Sequence, residues 1–220
     1  MPLTINETEA RVLGSLVEKQ LTTPEYYPLT LNALTAACNQ KSNRDPVMSL
    51  GETEILSAID SLRDKNLVYL YYGSSSRTVK YKHMLPNVFE IEAPAVALMT
   101  LLLLRGPQTA GEMRGRADRL YEFSGIGEVQ ETLDELARRD DPLIVKLERQ
   151  PGQKEVRYAH LLSGPVDAAA VSTHSESSRS TSSSNASAGR IGELEEKVEK
   201  LSSEMAELRS MFEEFKKQFE

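Results

Sequence analysis

One segment occurs twice in this chain. Glu54–Leu62 reads EILSAIDSL, and Glu128–Leu136, seventy-four positions later, reads EVQETLDEL. Both open on Glu, both carry Asp at the seventh place, and apolar residues recur at helical spacing in each. A strand-like run, a polar turn and a second strand follow each copy. The second strands, RTVKYKH (Arg77–His83) and KEVRYAH (Lys154–His160), share Val, Tyr and His in register. A helix feeding a two-stranded ribbon is the closing half of a winged helix-turn-helix. The fold must accommodate this unit twice, so two such modules in tandem are expected.

The rest of each unit fills in around the repeat. Thr4 with Glu7 reads as a capping box opening a first helix, whose apolar face is Ala10, Leu13, Leu16 and Val17 and which ends near Gln20. Thr22-Thr23-Pro24 and Tyr26-Tyr27-Pro28 interrupt the chain before a second helix carrying Leu29, Leu31, Leu34, Ala37 and Cys38. Pro46 closes the polar loop Asn39–Asp45. Ser49 with Glu52 is a second capping box, opening a third helix that runs to about Lys65. Strands follow at Leu67–Tyr72 and Thr78–Met84.

In the second unit, Ala95–Arg105 aligns with Glu9–Lys19 at an offset of eighty-six, and Thr23 matches Thr109 at the same offset. A third helix over about Gly127–Arg139 leads to strands at Leu143–Glu148 and Glu155–Leu161. The fall in offset from eighty-six to seventy-four places about a dozen extra residues between the second and third helices of the first unit.

The expected organisation is therefore mainly α with small β-wings, an α+β class. Winged helix-turn-helix domains are expected at 1–86 and 87–163, a serine-rich linker without stable structure at 164–189, and a coiled coil at 190–220. In the last segment Ile191, Val198, Met205, Phe212 and Phe219 fall seven apart, with Leu194, Leu201, Leu208 and Phe215 between them. Apolar residues at every a and d position predict a homodimer. Arg190 with Glu195, and Glu204 with Arg209, would form its flanking pairs in a parallel arrangement. A helix that folds back onto the domains is the alternative, though such packing has no need of a strict seven-residue period.

Composition narrows the chemistry. The single cysteine, Cys38, excludes an intramolecular disulfide and suits a reducing cytoplasm. Met1–Glu9 lacks the basic and apolar regions of a signal peptide, and the apolar run Ala93–Leu104 is too short to span a bilayer, so no membrane association is expected. His83 and His160 sit at equivalent ends of the two ribbons, which suggests a structural role common to both, and His174 lies in the linker. No Cys/His cluster has zinc spacing and no glycine-rich nucleotide loop is present, so neither metal, cofactor nor catalytic residues are expected.

The stretches EKQLTTPEYYPLTLNALTAACNQKSNRDPVMSL (Glu18–Leu50) and LLLRGPQTAGEMRGRADRLYEF (Leu102–Phe123), together with the closing heptads, closely resemble the bacterial YceH family. The resemblance covers nearly all of the chain outside the serine-rich linker, which looks longer here than is usual in that family. It implies a tandem winged-helix architecture and brings no activity with it.

Function is narrowed by charge. The net charge is −7. Met1–Pro86 balances nine basic against nine acidic residues, and Asn87–Ser163 has ten against thirteen. Neither has the basic excess of a strong nonspecific nucleic-acid binder, so any contact with double-stranded DNA must come from a local patch. The candidate patch is Gln40, Lys41, Asn43 and Arg44 in the loop before the third helix, with Arg77, Lys80 and Lys82 on the wing. The competing reading has Asn43, Arg44 and Asp45 bonding the loop's own backbone. The third helices offer mostly acidic or neutral groups: Ser57, Asp60, Ser61, Arg63 and Asp64 in the first, Glu128, Gln130, Glu131, Asp134 and Glu135 in the second. Arg114, Arg116 and Arg119 on the preceding helix would reach DNA only from another angle. Two functions follow: a DNA-binding regulator acting through the first unit, or a non-enzymatic adaptor that docks a protein partner.

Overall fold

The computed structural model describes residues 3–73, 78–149 and 155–164, all within one compact unit spanning Met1–Val171. Arg77 and all nine of the coiled-coil positions named above lie outside the described residues.

Each half begins with a helix buried on every side. The first, α1, is Glu7–Thr22, and its ten consecutive residues from Glu9 to Glu18 are buried. Its counterpart α5, Ala93–Arg105, is buried continuously from Ala95 to Leu104. These segments match at the offset of eighty-six, and the two helices pack against each other at the centre of the molecule. Gly14 permits the close approach: a Cβ there would lie 2.9 Å from Leu104 Cγ and 3.1 Å from Leu103 Cβ.

Around this pair the halves share one order of elements. In the first, β1 (Leu29–Thr30), α2 (Leu31–Cys38), α3 (Glu52–Asp64), β2 (Val68–Tyr71) and β3 (Lys80–His83) follow α1. A short helix α4 (Leu85–Phe89) leads to α5, and the second half continues with β4 (Gln108–Thr109), α6 (Ala110–Ala117), α7 (Ile126–Arg138), β5 (Ile144–Lys146) and β6 (Arg157–His160). Both sheets are antiparallel, ordered β1-β3-β2 and β4-β6-β5. Both anticipated ribbons are present, and the class is α+β. A single apolar core runs through both halves, and α4 spans the expected boundary between residues 86 and 87.

Four local expectations are corrected. Helix α1 is capped by Asn6 and Glu9, not Thr4 and Glu7. The cause is tertiary: the Ile5 N–H donates to Leu162 O at 2.7 Å, holding the chain extended until residue 6. Likewise α3 starts after Gly51, whose N–H donates to Glu54 Oε2, rather than at Ser49. Here the Asn39 amide exchanges two 2.8 Å hydrogen bonds with Leu50 and fixes its backbone before the helix can begin. The cap equivalent to Thr109 is Thr30, not Thr23; each accepts the N–H three residues on. The offset is therefore seventy-nine at α2, so the extra residues divide between the α1–α2 connection and the α2–α3 loop. The first insertion holds a 3-10 turn, Pro24–Tyr26, and brings in Tyr27, whose hydroxyl accepts the His83 N–H at 2.7 Å.

Candidate nucleic-acid interface

The α2–α3 loop of the first half is built over buried charge. Arg44 is 5% exposed. Its guanidinium donates to Glu18 Oε1 at 3.0 Å and Oε2 at 2.6 Å, a two-pronged pair, and also to the carbonyls of Ala37 and Asn43 and to Gln40 Oε1. Burial works to raise the Glu18 carboxyl, but the bonds and charge of Arg44 outweigh it and hold the group below the usual carboxylate range. Arg11, also buried, donates to Cys38 O at 3.2 Å and Pro46 O at 2.6 Å. Two arginines thus pull the loop onto α1. The loop also reaches the second half: Asp45 N–H donates to Leu104 O at 3.0 Å, and Arg105 Nη1 donates to Asn43 Oδ1 at 2.9 Å.

This changes the candidate patch. Arg44 is a brace and has no surface to offer a phosphate; its charge is matched inside the protein. Gln40 is half-buried and accepts from Arg44 and from Lys19, whereas Lys41 and Asn43 are exposed. Asn43 takes a left-handed backbone (φ 58°), a conformation Asn tolerates better than most residues. The sequence did carry a sign of the buried pair. Arg11, Ser15 and Glu18 recur at helical spacing on a helix otherwise apolar over the same stretch, a polar stripe that needs an internal partner.

On the ribbon, strand alternation separates two faces. Val68, Tyr81 and His83 point into the core. Tyr69 and Tyr71 point outward, directly opposite Lys82 and Lys80 respectively. Both tyrosines are about half exposed, Lys82 is exposed and Lys80 half-buried. The tyrosines were not singled out from the sequence, although their period of two in VYLY marked them. Outward-facing groups on α3 are mostly acidic: Glu52, Glu54, Asp60 and Asp64 against Arg63, which is paired to Asp60 at 2.9 Å.

The second half differs at each point. Its ribbon places Val145 opposite Ala159 where the first has Tyr69 opposite Lys82. Arg114 is paired to Asp118 at 2.7 Å, and Arg116 donates to Gln108 Oε1 at 2.6 Å. Beside the start of α7, an open recess of about 800 Å³ is lined by Asp118, Glu122 and Glu128 together with Arg114 and Tyr121. Glu128 accepts from Ser124 N–H and Oγ and from Tyr121, bonds that keep it ionised and below the usual carboxylate range. That recess suits no phosphate.

His83 and His160 lie at equivalent register positions, opposite Val68 and Ile144. Burial pushes each imidazole down to about 4, with Lys82 adding to the effect at His83. Both are neutral near pH 7. His83 Nδ1 accepts the Leu85 N–H, so the ring also fixes the turn into α4. Cys38 is buried, and burial pushes its thiol up to about 11, which keeps it protonated and unreactive. Among the described residues no group of three or more His, Cys, Asp or Glu is placed to hold a metal ion, and no helix is long and apolar enough to cross a membrane.

Residues 5–153 match the family model described as DUF480, a protein of unknown function. The chain belongs to the DUF480 family. It is 52% identical over 180 residues to a UPF0502 protein of Geotalea daltonii, covering 81% of this chain and 82% of that one. It is 47% identical over 220 residues to a UPF0502 protein of Pelobacter propionicus, covering both chains completely. These DUF480-family relatives carry no enzymatic name.

Proposed function

We propose that each half is a winged helix and that the protein is a non-enzymatic, cytoplasmic DNA-binding regulator of the YceH type. It holds double-stranded DNA through the first half. The observation that carries this reading is the outward ribbon face, where Tyr69 lies opposite Lys82 and Tyr71 opposite Lys80. Lysines supply charge to phosphates, and tyrosines supply hydroxyl donors and flat apolar area on the same surface. Lys41 and Asn43 add a second exposed contact, and Arg77, outside the described residues, is proposed as a third. The third helix is too acidic to lie against phosphates, so the wing and loop make the approach. The heptads of 190–220 support a homodimer as the binding species.

A second reading has one observation in its favour. Four exposed carboxylates on α3, beside the exposed Leu56, fit a protein partner better than a phosphate backbone. A nuclease-treated affinity purification from the native host separates the two. A stoichiometric protein partner with no DNA recovered selects the adaptor. For the DNA reading, fluorescence anisotropy on genomically recovered duplex should show affinity falling steeply as salt rises, and Lys80→Gln with Lys82→Gln should weaken it. Absence of binding at low salt ends that reading.

A further inference from the structure

A line of cations crosses the junction between the halves. It starts at the exposed Lys41 and Asn43 of the first-half loop and passes to Arg105 through the 2.9 Å bond to Asn43. Arg105 stands at the end of α5, three residues before Gln108, whose side-chain oxygen holds Arg116 at 2.6 Å. Arg116 and Arg157 then approach the same oxygen, Glu112 Oε1, at 3.9 and 3.3 Å. Contacts between protein groups thus connect loop, α5, α6 and β6, the link from α5 to α6 passing through the buried Gln108, which donates to Leu101 O and accepts from Arg116.

The charges on it do not cancel. Glu112 is the one carboxylate ion-paired with both Arg116 and Arg157, and its other oxygen already accepts the Thr109 N–H in the α6 cap. Arg105 spends its bond on a neutral amide, with Asp45 as an opposing charge nearby. Four cations (Lys41, Arg105, Arg116, Arg157) therefore stand against three carboxylates, Asp45, Glu112 and Glu155, the last with its Oε2 beside Gly111, in a chain of net charge −7. Burial is the main cause that lowers the Arg105 guanidinium; Arg116 and Arg44 act on it as like charges, and Asp45 and Glu112 as opposite ones. Bracing contacts do not exhaust these side chains. Arg157 gives Nη1 to Pro107 O and Arg116 gives Nη1 to Gln108, and a guanidinium has five N–H donors in a fork that matches two phosphate oxygens.

We propose that the phosphate-binding surface is composite, with Arg105, Arg116 and Arg157 of the second half completing it beside the first-half loop, and that its ligand is the phosphodiester backbone of duplex DNA. The inference rests on the DNA-binding reading above, but it assigns the second half a direct part that the acidic α7 does not suggest. It also accounts for the loop being bonded to α5 as well as α1: the two halves present one surface.

The test uses the full chain, a mixed-sequence duplex of about thirty base pairs, and affinity measured across a salt series. Arg105→Gln/Arg116→Gln should weaken binding at least tenfold and lower the salt slope by about two, since each phosphate contact contributes roughly 0.9. Arg105→Lys/Arg116→Lys should keep the slope. Should Arg105→Gln loosen the loop, seen as a lower melting temperature, Arg116→Gln alone carries the test, its side chain being 34% exposed, with a slope lower by about one. Wild-type binding with an unchanged slope in a folded Arg116→Gln protein overturns the composite surface and leaves the wing reading intact. Loss in the arginine variants with no effect of Lys80→Gln/Lys82→Gln supports the composite surface and removes the wing. Wild-type protein that fails to bind overturns both.

Discussion

The two α2–α3 and α6–α7 loops do the same job with opposite chemistry. In the first half the loop is held by buried charge: Arg44 on Glu18, and Arg11 on two carbonyls. In the second, Phe123, seventy-nine positions after Arg44, is buried at 2% exposure, with Tyr121 edge-on to it at 4.7 Å between ring centres. The position aligned with Glu18 at the offset of eighty-six is Leu104. An aromatic plug tolerates small shifts at little cost. A guanidinium locked to a carboxylate and carbonyls has one geometry, so it fixes the path of a longer loop whose exposed residues must be presented in a defined place. One repeat closes on apolar rings, and the other on bonded charge.

A large effect should come from breaking the bonded closure. Arg44→Met removes the two-pronged partner of the buried Glu18, leaving it only Lys19 at 3.3 Å, and should destabilise by about 3 kcal/mol in urea unfolding. Glu18→Leu/Arg44→Met copies the second half and should recover about half of that, because apolar replacement of both partners is tolerated, though the Ala37 carbonyl loses its donor. If the double variant is no better than the single one, the comparison between the loops fails.

Phe123→Ala should cost about 3–4 kcal/mol by cavity formation, and this loss should not change with salt. A loss that varied with ionic strength would mean the second closure is not purely apolar.

Acid should act on both halves alike through the histidines. Each folded-state imidazole is lowered to about 4 from an ordinary 6.5, so the unfolded chain takes up protons first. The stabilising contribution is complete above pH 6.5 and is lost as pH falls towards 4. Below that, protonation of the carboxylates held low adds to the loss, Glu9 and Glu18 in the first half and Glu128 in the second. Melting temperature against pH should therefore fall in two stages, and Arg44→Met/Glu18→Leu should shrink the lower one. Each shift being the same size, His83→Gln and His160→Gln should flatten the upper stage to a similar extent.

The smallest effect lies where the halves meet. Gly14→Ala gains helix propensity but forces Leu104 to move, and should destabilise by about 1 kcal/mol net. A stabilised variant would show that Leu104 has room to turn aside.

What could be read from the sequence followed the repeat. Helices α3 and α7 and both ribbons were legible because similar segments recur in the same order, seventy-four positions apart at the helices and seventy-seven at the closing strands. The caps at Asn6 and Gly51 were not, because overlapping Asn/Thr–Glu and Ser/Gly–Glu spacings compete locally and the choice is made by Leu162 and Asn39, far along the chain. Two-residue strands such as β1 and β4 are too short to leave a pattern. Arg44 was open to two readings, ligand contact or loop brace, and the bonds to Ala37 O and Asn43 O decide for the brace. Nothing within the loop marks it as buried; its partner Glu18 lies twenty-six residues earlier.

The central helices have a further consequence. Because α1 and α5 are each enclosed on all sides, neither half can be peeled from the other without exposing ten residues that have no solvent-facing side. The pair is therefore less like two beads on a string than like a gauge block. The distance and angle between the two ribbons are machined into the core rather than left to a hinge, and anything that touches both must already have the matching pitch.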